Sequence, residues 1–121
     1  MDTQRFRDLQ VWQRPMTLAR TVYKVTEGFP RDELFGLKSQ IRRAAVSVPS
    51  NIAEGRGRAT DKSFAMFLGQ ARGSLYELQT QIELARDLGF AAQDRANPIL
   101  TEAAEIAAMI HGLLVKLRPP R

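Results

Sequence analysis

Cysteine is absent from the 121 residues. That single absence excludes disulfides, zinc–thiolate sites, iron–sulfur clusters and thiol catalysis. Histidine occurs once, at His111, so a multi-histidine metal site within one chain is excluded too. Carboxylate-bridged metal bundles need Glu-x-x-His pairs on two helices, which one histidine cannot supply. No cofactor is expected. Aromatic residues make up 7% of the chain, which leaves the core to aliphatic side chains and alanine. No apolar run approaches the roughly 20 residues that span a bilayer. No apolar segment follows Arg5 and Arg7, as a secretory leader would require. The expectation is a cytoplasmic chain with no membrane association.

What is present is ordinary for a globular protein: 44% hydrophobic and 26% charged residues. The length suits one domain over residues 1–121, since two would each sit near the lower limit for an independent core. The charge is less ordinary. Eighteen Lys and Arg face 13 Asp and Glu, for a net +5, and 14 of the 18 are arginine. Arginine forks onto phosphates and carboxylates, so this balance favours a nucleic-acid or acidic-protein partner.

The hydrophobic pattern is helical throughout, with no convincing period-2 strand. Four segments follow. The first covers about 9–26, with a stripe of Leu9, Trp12, Met16, Ala19, Tyr23 and Thr26, and Pro15 in its first turn. A second apolar row, Leu18, Val22 and Val25, lies on another face. The second segment covers about 31–54. Asp32 and Glu33 stand in its first turn, where negative charge suits the helix dipole. Its stripe is Leu34, Leu37, Ile41, Ala45, Val48 and Ile52, and Pro49 predicts a kink that Ser47 and Ser50 could help satisfy.

Gly55-Arg56-Gly57-Arg58 reads as a flexible basic turn, and Thr60 or Asp61 as the next N-cap. The third segment, about 62–88, carries Phe64, Leu68, Ala71, Leu75, Leu78, Ile82 and Ala85, with Gly89 closing it. The fourth, about 94–117, carries Ile99, Ala103, Ile106, Ile110, Leu113 and Leu117, with Pro98 acceptable in a first turn. Sustained 3/4 spacing and short turns predict an all-α, antiparallel up-down-up-down four-helix bundle.

No nucleophile, base and orienting group come together as an enzyme would need. His111 reads as a surface or core-edge residue, and no glycine-rich phosphate loop follows a strand. The chain therefore reads as a non-enzyme. Ser39, Arg43, Ser47, Asn51 (or Ser50) and Glu54 form a polar stripe, with Gln70, Ser74, Glu77 and Gln81 as a counterpart. One reading is an interhelical network of Arg43, Ser47, Asn51, Glu54 and Glu77, with Arg43 paired to Glu54 or Glu77. The other has Arg42 and Arg43 reaching phosphates; both can hold, since helix neighbours point about 100° apart. Ala65, Gly69 and Gly73 form a small-residue row, for tight packing within the chain or between subunits. Arg42, Arg43, Arg56, Arg58 and Lys62 surround the second turn as candidate nucleic-acid contacts. A solvated turn is the plainer alternative.

Particular blocks are also familiar. They are Phe6-Arg7-Asp8-Leu9-Gln10-Val11-Trp12-Gln13, Phe29-Pro30, Gly36-Leu37, and Gln40-Ile41-Arg42-Arg43-Ala44-Ala45 with Ser47. Asn51-Ile52-Ala53-Glu54-Gly55, Phe67-Leu68, Gly73-Ser74-Leu75 and Glu77-Leu78 complete the set. Together they resemble the bacterial four helix bundle protein family. That family includes proteins encoded in intervening sequences of large-subunit ribosomal RNA genes. It is related to the accessory variability protein of diversity-generating retroelements. The resemblance implies a homopentameric barrel. In the retroelement branch, it implies a basic adaptor that binds nucleic acid and a reverse transcriptase. The expected function is a non-enzymatic, homo-oligomeric adaptor binding RNA or DNA. The alternative is a protein–protein scaffold whose basic surface serves an acidic partner.

Overall fold

The computed structural model describes residues 3–119. Four helices carry the fold: α1 Gln10–Thr26, α2 Leu37–Gly57, α3 Asp61–Asp87 and α4 Gln93–Lys116. Short 3-10 helices precede α1 (Thr3–Asp8) and α2 (Arg31–Glu33), and the described residues contain no strand. Each helix runs against its neighbour. Arg42, early in α2, reaches Thr26 and Tyr23, late in α1. Gly55, late in α2, lies against Phe67, early in α3. Arg86, late in α3, donates to Asn97, early in α4. Leu9 and Val11 line a hollow with Met109 and Leu113, so α4 returns to the start of α1. The fold is an all-α, antiparallel up-down-up-down four-helix bundle.

The core is aliphatic. Ile41, Val48 and Ile52 of α2, Leu68, Leu75, Leu78 and Ile82 of α3, and Ile99, Ile106 and Ile110 of α4 are all buried. The predicted stripe of α3 is the buried one, apart from Phe64, which is partly exposed. In α1 both rows reach the core: Ala19 and Thr26 of the first are buried together with Leu18, Val22 and Val25 of the second. Trp12 and Met16 are half-buried and Tyr23 is 42% exposed. Both rows have helical spacing, and the smaller side chains fit a tight four-helix core while the larger ones ride its edge.

Several local boundaries also differ from the sequence reading. Leu9 is the N-cap of α1, so Pro15 is the sixth helical residue and lies in the second turn. Pro98 holds the same place in α4, which starts at Gln93. The second helix starts at Leu37, six residues later than expected. Asp32 and Glu33 belong to the preceding 3-10 turn. Glu33 still serves the helix, because its carboxylate accepts from the Leu37 backbone N–H at 2.9 Å. At Pro49 α2 continues unbroken; Ser50 donates to Val46 O, one turn back, while Ser47 donates to Ala44 O. Gly55, Arg56 and Gly57 are helical, so the flexible turn shrinks to Arg58, Ala59 and Thr60. Thr60 is the N-cap of α3, accepting from Ser63 N–H at 3.1 Å. Gly89, at φ +80°, closes α3 with Gly89 N–H to Arg86 O and Phe90 N–H to Ala85 O, the paired bonds of a Schellman end.

By length and composition alone Gln93–Lys116 is apolar enough to cross a membrane, with a mean hydropathy of 1.4, although Glu102 and Glu105 interrupt its apolar run. The Ile99–Ala103–Ile106–Ile110 row faces the core.

Candidate nucleic-acid interface

The antiparallel topology places the end of α2, the start of α3 and the end of α4 at one end of the bundle. The Arg56 guanidinium lies over the Phe64 ring at 6.0 Å, and that of Arg58 over Phe67 at 5.4 Å. Arg58 also pairs with Glu54 at 3.1 Å. Lys62 stands in the first turn of α3 and Lys116 in the last turn of α4, followed by Arg118. Lys62, Lys116 and Arg118 line one surface depression of about 830 Å³ with Asp61, Ala65, Leu117 and Pro119. Cations at the C-termini of α2 and α4 suit the helix dipoles, so local stability and charge clustering coincide.

Among the described residues, this end carries seven cations (Arg5, Arg7, Arg56, Arg58, Lys62, Lys116, Arg118) and three carboxylates (Asp8, Glu54, Asp61). The opposite end carries seven cations (Lys24, Arg31, Lys38, Arg42, Arg43, Arg86, Arg95) against six carboxylates (Glu27, Asp32, Glu33, Glu83, Asp87, Asp94). The net positive charge is therefore one-ended. Lys116 and Arg118 escape a linear reading because they lie far from Arg56 in sequence. With four antiparallel helices, the second and fourth must finish at the same end of the bundle, and that was the signal available.

The five candidate contacts divide. Arg56, Arg58 and Lys62 share the basic end, whereas Arg42 and Arg43 lie near the start of α2. Fourteen residues separate Arg42 from Arg56, which is about 21 Å of helical rise. Arg42 is held in place. Its Nε donates to Thr26 Oγ1 at 2.8 Å, its Nη2 donates to Tyr23 O at 3.0 Å, and it stacks on the Tyr23 ring at 4.3 Å. Thr26 is the buried polar residue of the core, and it donates in turn to Val22 O at 2.8 Å. Arg43 is exposed beside it.

The polar stripe takes a different form from the interhelical network expected. Ser47 donates to Ala44 O and Asn51 to Ser47 O, both within α2. Glu54 pairs with Arg58, and the hydrogen bonds and ion pairs among the described residues join Arg43 to neither Glu54 nor Glu77. Side chains one turn from a backbone carbonyl bond it locally, at less entropic cost than reaching across to another helix. The small-residue row also departs from close packing within the chain. A Cβ at Gly69 or Gly73 would meet nothing within 4 Å, whereas one at Gly55 would sit 2.6 Å from Phe67 Cβ. The close approach of α2 and α3 occurs at Gly55.

His111 is exposed, with Nδ1 3.2 Å from Arg72 Nη1. On the α1/α4 side Arg14 bonds both Glu102 and Glu105, the latter at 3.0 Å. Those two carboxylates hold its pKa above the ordinary arginine value. Among the described residues no group of three or more His, Cys, Asp or Glu could hold a metal ion.

A sequence profile described as 23S rRNA-intervening sequence protein matches residues 7–112. The chain belongs to this family. A crystal structure of a protein of unknown function from the S23 ribosomal protein family of Bacteroides thetaiotaomicron is similar to it. The TM-score is 0.79 at 18% identity, over 86% of this chain and 97% of that one. At that identity the likeness speaks for the four-helix fold. No curated protein matches significantly. The family profile spans α1, α2 and α3 and most of α4, so the basic end at Arg56, Arg58 and Lys62 lies within the matched region.

Proposed function

We propose that this intervening-sequence protein is a non-enzymatic, cytoplasmic adaptor that binds RNA or DNA through the basic end of its bundle. It works as a homo-oligomer, pentameric as the family resemblance implies, so several basic ends act together on one polyanion. A reverse transcriptase is the kind of protein partner that the resemblance implies. The observation carrying the reading is the convergence of Arg56, Arg58, Lys62, Lys116 and Arg118 at one end. Tyr76, Ala104 and Ala108 line a shallow depression between α3 and α4, and Gly69, Gly73 and Gly112 leave open space around it. That small-residue face, edged by the Arg72–His111 pair, suits the helix of another subunit.

The test is a salt titration of anisotropy with labelled single-stranded RNA, duplex RNA and duplex DNA. Each phosphate neutralised contributes about 0.9 to the log–log slope on B-DNA and less on single strands. K62E/R118E and R56E/R58E each lower affinity and flatten the slope, and K62E/R118E does so without changing helicity. Lys62 and Arg118 are exposed, so their reversal leaves the core intact. Equal affinity in wild type and both variants, or no binding at low salt, overturns the reading and favours a protein–protein scaffold.

A further inference from the structure

Phe35 is 91% exposed, and its neighbour Leu34 is 50% exposed. They stand on the connection between the Arg31–Glu33 turn and α2. Leu34 lines a groove of about 570 Å³ that runs along the outer face of α2, and Phe35 follows it in the chain outside the lining. Tyr23, Leu34 and Val46 supply apolar walls; Lys38, Arg42 and Arg43 supply charge; serine hydroxyls complete the rim. No carboxylate lines it.

Arg42 is already fixed by Thr26, the Tyr23 carbonyl and the Tyr23 ring. It therefore loses little side-chain entropy on meeting an anion. Its Nη1 hydrogens are not used in those bonds. Lys38 and Arg43 flank it as adaptable cations. Exposed aromatic and aliphatic side chains beside a concave surface are the usual makings of a binding hot spot.

We propose that this groove docks an acidic segment of a partner protein carrying an aromatic or aliphatic anchor residue. The anchor packs on Leu34, Phe35 and Val46, and the flanking carboxylates meet Lys38, Arg42 and Arg43. A nucleic acid fits this end poorly. Glu27, Asp32 and Glu33 sit on the adjoining connection, and the end as a whole is close to neutral. A phosphodiester chain running past the groove meets those carboxylates, whereas a short acidic segment with an apolar anchor stays within the cationic patch. The site is independent of the nucleic-acid reading. It lies about 21 Å along α2 from Arg56, so both partners fit at once.

The experiment pans random peptides displayed on phage against the full chain and then measures the selected peptides on wild type and on the Phe35→Ser and Arg43→Glu variants. Phe35 and Arg43 are both exposed, so neither substitution threatens the fold; Arg42 is left alone because it ties α1 to α2. The expected harvest is peptides with Asp or Glu around Leu, Phe or Trp. Their affinity falls about tenfold or more in F35S and in R43E, the loss of an anchor or a charge partner. K62E/R118E, at the other end, binds them like wild type. Backbone amide shifts on titration centre on Tyr23, Lys38 and Val46. Peptides without acidic character, or peptides that bind F35S and R43E as well as wild type, overturn the proposal. So does single-stranded RNA whose affinity drops in F35S, since the occupant is then nucleic acid. A failure of the salt titration leaves these peptide results unchanged.

Discussion

Gly55 and Gly69 are both helical glycines, yet they answer to different surroundings. At Gly55 an added methyl would sit 2.6 Å from Phe67 Cβ and 3.4 Å from Phe64 Cα. Those atoms lie on or next to backbone, so α2 and α3 must move apart. Gly55→Ala should therefore lose about 1–3 kcal/mol, the usual range for overpacking. At Gly69 the methyl meets nothing within 4 Å. Gly69→Ala should gain about 0.5–1 kcal/mol in the dissociated subunit, from reduced unfolded-state entropy. Urea melts at low protein concentration check both signs. Arg14 makes the opposite point about charge. Its pKa is raised, so its contribution is present throughout the range below its unfolded value and fades only under strongly alkaline conditions. Arg14 and Glu102 are about one-third exposed and Glu105 is 59% exposed, so the cluster is screened by salt and worth roughly 1 kcal/mol or less.

At the scale of elements, the short connection between α2 and α3 carries most of the testable chemistry. Ala59 has φ +64°, the left-handed position that glycine usually takes after a helix. Ala59→Gly should add about 1 kcal/mol, since an L side chain is strained there. Thr60→Ala should remove about 1 kcal/mol with the lost cap. Thermal unfolding of the pair, with the double variant near wild type, checks the assignment. α3 was legible because one apolar row runs its whole length and no rival competes. α1 was not, because two rows share the same spacing and period alone cannot rank them. Packing buries the smaller side chains of both rows, Ala19 and Thr26 with Leu18, Val22 and Val25, and leaves Trp12, Met16 and Tyr23 at the edge. The start of α2 was misplaced for a related reason. Asp32 and Glu33 carry the signal of a first turn, and Glu33 acts as one, but from outside the helix. Arg56 and Arg58 were legible as basic residues, but not as part of a larger end. Their partners Lys116 and Arg118 depend on topology rather than on neighbouring sequence.

For the whole molecule, the small-residue α3/α4 face and the basic end make one linked prediction. Gly73→Arg puts a long charged side chain on that face, where Gly73 is exposed. Sedimentation velocity should show smaller species, with far-ultraviolet circular dichroism unchanged. Polyanion affinity should fall with assembly, by about tenfold or more, because each subunit then binds alone. Unchanged sedimentation places any subunit contact elsewhere. Unchanged affinity in a dissociated variant means one basic end suffices.

The same four-helix path also governs how the molecule can be handled. The 3-10 helix that begins at Thr3 and the residues that follow Lys116 lie at the same end of the bundle, the end where Lys62, Lys116 and Arg118 meet. A purification tag or fluorescent fusion on either terminus hangs over that surface. A polyhistidine tag adds its own affinity for anions there, and an acidic epitope tag competes with them. The Gly89 turn, at the far end, is the place to attach a label or a surface tether. It leaves the cationic end facing solution.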